Sequence, residues 1–377
     1  DEAEALYKQA LDIQTRALGV NNINVANTIV SLAMLYLKTG KYADAENLLK
    51  QALDVQTNIL GRDHPDVAVT ITSLAQFYFS QSRYGEAEKL FREALQIEIK
   101  NYGMYNPNVA TIIYNLAALF YALGKFDEAE ALYKQALDIQ TKIFGKLHPD
   151  VANTINGLAM VYYKKGNYDE AEQLLKEALG IEIKFFGMEN QNTAKVMNNL
   201  ALVYFERQRY DEAEFLFKKA LEIEIKTLGE NQSDTVTTMN NLAMLYFETK
   251  RYEEAEPLFE KVIEAEKNTT NINNMNFASA MANLAAIYLK KGKYDEAELL
   301  LRQALQIQTM MNRYHPDVGK SFTWLGMVYY AKCMKEEAKK SFLEALEIFK
   351  SLGKQSNIYD DYIARLLGFL DQLERYC

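Results

Sequence analysis

The side chains best able to do chemistry here are three histidines, two cysteines and a recurrent pair of carboxylates, and their spacing decides what each can do. His64, His148 and His315 each begin a His-Pro-Asp triplet. An imidazole can bind a metal or move a proton, but either role needs partners close in space. These three occupy one position of a sequence repeat and lie two, four or six repeats apart, so they cannot converge on a metal or a triad. They read as turn residues. The Glu-Ala-Glu carboxylates recur at the start of a helix in every repeat, where acidic groups favour the helix dipole. Neither a Gly-x-Gly-x-x-Gly run nor a phosphate-binding loop is present. The expectation is a non-catalytic chain with no cofactor and no metal site. Cys333 and Cys377 make no disulfide framework, which points to a reducing compartment and a cytoplasmic location.

Asparagine offers a different chemistry. A side-chain amide holds both a donor and an acceptor, so it can pair with the backbone of an extended peptide whatever that peptide's sequence. Asn115, Asn199, Asn241 and Asn283 form a ladder at one repeat position, with Asn156, Asn198, Asn240 and Tyr114 beside them. These residues, together with Lys195, are the candidate peptide-binding set.

The element that must position them is a repeat of 42 residues. The alanine of Glu-Ala-Glu falls at Ala3, Ala45 (as Asp-Ala-Glu), Ala87, Ala129, Ala171, Ala213, Ala255 and Ala297, and a further copy, Ala338 (as Glu-Ala-Lys), comes one residue early. So regular a period implies one supersecondary unit stacked on itself. Each unit resolves into two helices. The first carries apolar residues on one face, as in Ile29, Leu32, Ala33 and Tyr36. Its N-caps are expected at Asn24, Asp66, Asn108, Asp150, Asn192, Asp234, Asn276 and Asp317, four of them preceded by proline. The second helix has the stripe Ala45, Leu48, Leu49, Ala52 and Val55, and Gly61, Gly103, Gly145, Gly187 and Gly229 mark its end in a left-handed residue. In the sixth copy Asn271 stands there inside a polar run, which predicts an early helix end.

The motifs Leu-Ala-x-x-Tyr, Gly-Lys-Tyr-x-Glu-Ala-Glu and Ala-Leu-x-Ile resemble the tetratricopeptide repeat. The 42-residue period, His-Pro-Asp-Val-Ala at His64 and His148, and Asn-Asn-Leu-Ala at Asn199 and Asn241 are similar to its kinesin light chain subclass. The resemblance implies an all-α fold, a right-handed superhelical α-solenoid of helix-turn-helix repeats whose first helices form a concave wall. It implies one array over residues 1–377: a lone second helix at 1–18, eight helix pairs at 24–351 and a capping helix at 358–376. The unpaired first helix suggests a fragment of a longer chain. In kinesin light chains, asparagines of the Asn-Leu-Ala motif contact the cargo peptide backbone, and the resemblance carries that role to the ladder.

The net charge of −9 argues against a nucleic-acid partner, and no apolar run approaches a membrane span. On the wall stripe, Lys38, Lys164, Lys195, Lys290 and Lys320 outnumber Glu206 and Glu248, giving 5 − 2 = +3 and favouring a neutral to acidic peptide. The function expected is a non-catalytic, cargo-adaptor-like scaffold that binds an extended peptide or partner protein in its groove. The alternative is a sensor or regulatory arm of a multidomain protein whose effector domain lies outside these residues.

Overall fold

The computed structural model describes residues 2–267, 275–353 and 359–376, and Asn271 lies outside them. Every regular element among the described residues is an α-helix. The chain divides into two compact units, residues 1–188 and 189–377. Unit 1 contains α1 (Glu2–Leu18) and the pairs α2 (Ile23–Lys38) with α3 (Tyr42–Leu60), α4 (Pro65–Ser80) with α5 (Tyr84–Tyr102), α6 (Pro107–Ala122) with α7 (Phe126–Phe144), and α8 (Pro149–Lys164) with α9 (Tyr168–Phe186). Unit 2 contains α10 (Gln191–Glu206) with α11 (Tyr210–Thr227), α12 (Ser233–Glu248) with α13 (Tyr252–Lys267), α14 (Met275–Lys290) with α15 (Tyr294–Asn312), α16 (Pro316–Ala331) with α17 (Lys335–Gly353), and α18 (Asp360–Tyr376).

The first helices start two residues earlier than the expected caps allow. Asn22, Asn106 and Asn190 are the N-caps, each accepting the backbone N–H of Asn24, Asn108 or Asn192 through Oδ1. His64, His148 and His315 do the same through Nδ1, at 3.1, 3.2 and 3.3 Å. Proline then fills the first helical position, where a missing N–H costs no hydrogen bond. The repeated histidine is therefore a helix cap. Asp66 and its equivalents lie inside the first turn, where their charge suits the dipole.

Each first helix ends in a Schellman turn: Lys41 N–H bonds Tyr36 C=O at 2.9 Å, and Arg83, Arg209 and Arg251 repeat the bond to Tyr78, Tyr204 and Tyr246. The turn needs one residue at positive φ. Gly40, Gly124, Gly166 and Gly292 supply it, but Ser82, Gln208, Lys250 and Cys333 take the same position at φ 58 to 62°. Whereas α11 is capped by Leu228 and α15 by Arg313, both at negative φ, four second helices, α3, α5, α7 and α9, end on glycines at positive φ, with ψ extended rather than left-handed, as at Gly61 (84°, 157°). That region is open essentially to glycine alone.

Within each pair the alanine of Leu-Ala lets the helices close, and Ala33, Ala75, Ala117 and Ala159 are fully buried. Successive pairs are stitched by the second glutamate of Glu-Ala-Glu. Glu46 accepts from Tyr78 Oη at 3.2 Å and pairs with Arg83, whose guanidinium lies 4.1 Å from the Tyr78 ring centre. Glu130 does the same with Tyr162 and Lys165, and Glu214 with Tyr246 and Arg251. These carboxylates lie beyond the first turn, where Asp44, Glu128 and Glu212 stand, and join neighbouring repeats instead of facing the dipole. At the C-terminal end, α18 covers α17 with buried Leu366 and Leu373, and Phe369 stacks on Phe342 at 5.2 Å. The expected start of that helix, Ile358, lies outside the described residues.

Candidate functional site

In unit 1 the first helices α2, α4, α6 and α8 approach one another in succession, and in unit 2 α10, α12, α14 and α16 do so, whereas successive second helices do not. The first helices therefore line the inner side of each unit. Among the candidate residues, Asn115, Asn156 and Tyr114 belong to unit 1, and Asn198, Asn199, Asn240, Asn241, Asn283 and Lys195 to unit 2.

The two amide positions differ in depth. Asn156, Asn198 and Asn240 are buried, at 7–8% exposure, while Asn115, Asn199, Asn241 and Asn283 are half-buried on the wall. Asn241 Nδ2 donates to Asn198 Oδ1 at 3.0 Å, so the deeper amide of one repeat orients the ladder amide of the next. Asn115 Nδ2 and Asn240 Oδ1 are buried without a hydrogen-bond partner. An unpaired buried amide atom costs about 1–3 kcal/mol. Lys195 stands exposed one turn before Asn199.

The ladder has a gap at Gly157. A Cβ there would sit 2.7 Å from the Tyr133 ring, which is buried and packs edge-on against Tyr114. Burial raises the Tyr114 phenol above its usual range. Tyr114 thus supports the wall through packing as well as facing it.

The positive excess counted along the wall is less available than the sequence implies. Lys164 lies 5.5 Å over the Tyr163 ring, Lys290 lies 5.4 Å over Tyr252, and Lys320 is 3.4 Å from Asp317.

A row of buried polar side chains on the second helices escaped the sequence reading. Gln56, Glu98, Gln140, Glu182, Glu224 and Gln308 are all buried and share one repeat position. Thr154 Oγ1 donates to Gln140 at 2.6 Å, and Asn108 donates to Glu98 at 3.2 Å. Desolvation raises the Glu182 carboxyl to about 6 and Glu224 to about 7, despite a bond from Thr238 to the latter. Their shared register was the signal that could have found them.

Unit 2 holds a cavity of about 410 Å³ where α12, α14, α15, α16 and α18 meet. Asn240, Asn241 and Asn283 line it with Met244, Phe247, Trp324 and Tyr362. Among the described residues, no three His, Cys, Asp or Glu side chains gather as a metal ion would require. Nor is any described helix long and apolar enough to cross a membrane.

A tetratricopeptide repeat family model matches residues 1–58, 25–100, 108–181, 192–268 and 276–351, and a second matches 156–226 and 241–309. The chain belongs to the tetratricopeptide repeat family, whose arrays are protein-interaction scaffolds. None of the curated proteins is detectably similar in sequence. Among solved structures, BtubC (BKLC) from P. vanneervenii is 26% identical over 63% of this chain and 93% of its own, with a TM-score of 0.50. A kinesin light chain candidate with nearly identical TPR-like repeats from Podosopora anserina is 27% identical over 53% of this chain and 95% of its own, at 0.46. The STAND protein with a tetratricopeptide repeat sensor, PH0952 from Pyrococcus horikoshii, matches 95% of this chain and 55% of its own at 0.62, but with 17% identity it shares the fold alone. In repeat length and motif the chain is kinesin light chain-like.

Proposed function

We propose that this chain is a non-catalytic scaffold whose first-helix wall grips an extended peptide or partner segment, as a cargo adaptor does. The observation that carries the reading is the two-deep amide wall. A buried row orients an accessible row through bonds such as Asn241 to Asn198, and buried polar atoms of Asn115 and Asn240 remain unpaired. Rigid amides at successive repeats suit a peptide backbone, which presents alternating donors and acceptors. The 42-residue register runs unbroken from Ala171 to Ala213, so both units present the same kind of first-helix wall. With most described wall lysines locally engaged, backbone reading outweighs ligand charge in this proposal. The sensor-arm alternative would use the same wall and differ in what else the full-length protein carries.

The test is to select binders from a displayed library of linear peptides on the wild-type chain, then footprint the best by amide hydrogen exchange. Protection confined to α10, α12 and α14 supports the reading. Protection confined to the exposed faces of second helices refutes it.

A further inference from the structure

The cavity in unit 2 carries a chemistry that the amide wall does not. Its charges are unequal. Lys320 faces Asp317 Oδ1 at 3.4 Å while Ser279 Oγ donates to Asp317 Oδ2 at 3.2 Å, so that pair is internally compensated. Glu248 lines the same cavity, is exposed, and has no ion-pair partner among the described residues. One uncompensated negative charge therefore stands at the mouth.

The walls are aromatic. Phe247 and Trp324 meet edge to face at 6.1 Å and 72°, and Tyr362 is contributed by α18. The floor is polar and unsatisfied. Gln308 is fully buried, yet neither Oε1 nor Nε2 has a hydrogen-bond partner, and the same holds for Asn240 Oδ1 and the buried Ser321 Oγ.

Each candidate occupant meets this surface differently. An acidic side chain would face Glu248 and the negative faces of the rings. An aliphatic one would fill space but leave the Gln308 and Asn240 oxygens unpaired. A guanidinium is attracted by the carboxylate, stacks on aromatic faces, and carries several N–H donors for the acceptors beneath it. We propose that this cavity is an anchor pocket for the arginine side chain of a peptide lying along the wall, an inference that rests on the wall reading above. Glu248 pairs with the guanidinium, Phe247 and Trp324 flank it, and Gln308 and Asn240 receive its N–H groups. The pocket fixes the register of a peptide whose backbone the ladder reads without regard to sequence.

Trp324 is the single tryptophan of the chain, so its fluorescence reports on this pocket. Three capped pentaglycine-based peptides, with arginine, norleucine or glutamate at the centre, are titrated against the full chain, with guanidinium chloride alone as a fourth arm. The arginine peptide should shift Trp324 emission saturably and bind about tenfold more tightly than the norleucine or glutamate peptides. Glu248→Gln, at an exposed site that keeps its circular dichroism, should remove most of that preference, and guanidinium alone should bind more weakly than the peptide. Equal binding of the three peptides overturns the anchor; if Asn199→Ala with Asn241→Ala still weakens them all, the wall reading survives. Should no peptide bind by fluorescence or calorimetry, the anchor and the wall reading both fall. An unchanged arginine preference in Glu248→Gln also refutes the assignment.

Discussion

Replacing Glu224 by glutamine should stabilise the protein, and by an amount that depends on pH. Glu224 is 2% exposed, and its carboxyl is raised by burial from 4.5 to about 7, with the charge of Asp234 adding to the effect. Between those two values the native state holds a proton that the unfolded chain has released. Stability from this group is therefore fully present below about pH 4.5 and is lost as pH rises through about 7. At 1.36 kcal/mol per pH unit the whole interval is worth about 3 kcal/mol, an upper figure because relaxation and water entry soften buried charges. Glutamine keeps an acceptor for Thr238 and cannot ionise, and it already occupies the equivalent buried position at Gln56, Gln140 and Gln308. Urea unfolding followed by far-ultraviolet circular dichroism would compare Glu224→Gln with wild type. The variant should gain roughly 2–3 kcal/mol near pH 8 and well under 1 kcal/mol near pH 5. An equal gain at both pH values, or a loss near pH 8, would refute the claim that an ionisable group is buried against its charge.

Other outcomes follow from the same geometry. Gly157→Ala should destabilise by about 1–3 kcal/mol in thermal or urea unfolding, because the added methyl meets the buried Tyr133 ring at 2.7 Å; a neutral result would mean that the ring moves freely. Gln208→Gly and Lys250→Gly should each stabilise by about 1 kcal/mol, since both residues hold φ near 60° in a turn that other repeats build with glycine. His64→Ala should cost about 1 kcal/mol through loss of the N-cap to Asp66 and His64→Asn should restore it, both read from the urea midpoint.

How much was legible in the sequence depended on distance along the chain. The helix pairs, the Leu-Ala contact and the capping helix follow from local periodicity, because a 42-residue register repeats every local choice. The caps were misplaced by two residues because the expected position carries Asp or Asn in every repeat, whereas the true cap position mixes asparagine with histidine, which caps through a ring nitrogen. The Glu–Tyr–cation stitches span 32 and 37 residues, so they appear only when neighbouring repeats are laid side by side. Nothing local marks Glu182 and Glu224 as buried, since a carboxylate on an amphipathic helix usually faces solvent. The ladder positions, with glycine at 157, were readable by register, but the amide pairing and the ring that Gly157 makes room for were not, because they depend on Asn198 and Tyr133 from elsewhere in the fold. The cavity draws on five helices that no single stretch of sequence contains.

The central claim, that the wall amides hold a peptide by its backbone, is tested most directly by one pair of substitutions. A peptide selected on the wild-type chain is measured by calorimetry against Asn199→Ala with Asn241→Ala, beside a control changing exposed Lys219 and Glu222 of α11 to alanine. Each lost amide leaves a peptide group underpaired at about 1–3 kcal/mol where it is buried, so the wall variant should bind at least tenfold more weakly at unchanged helicity. The control should bind as wild type does. Undiminished affinity in the wall variant, or an equal loss in the control, would contradict the account.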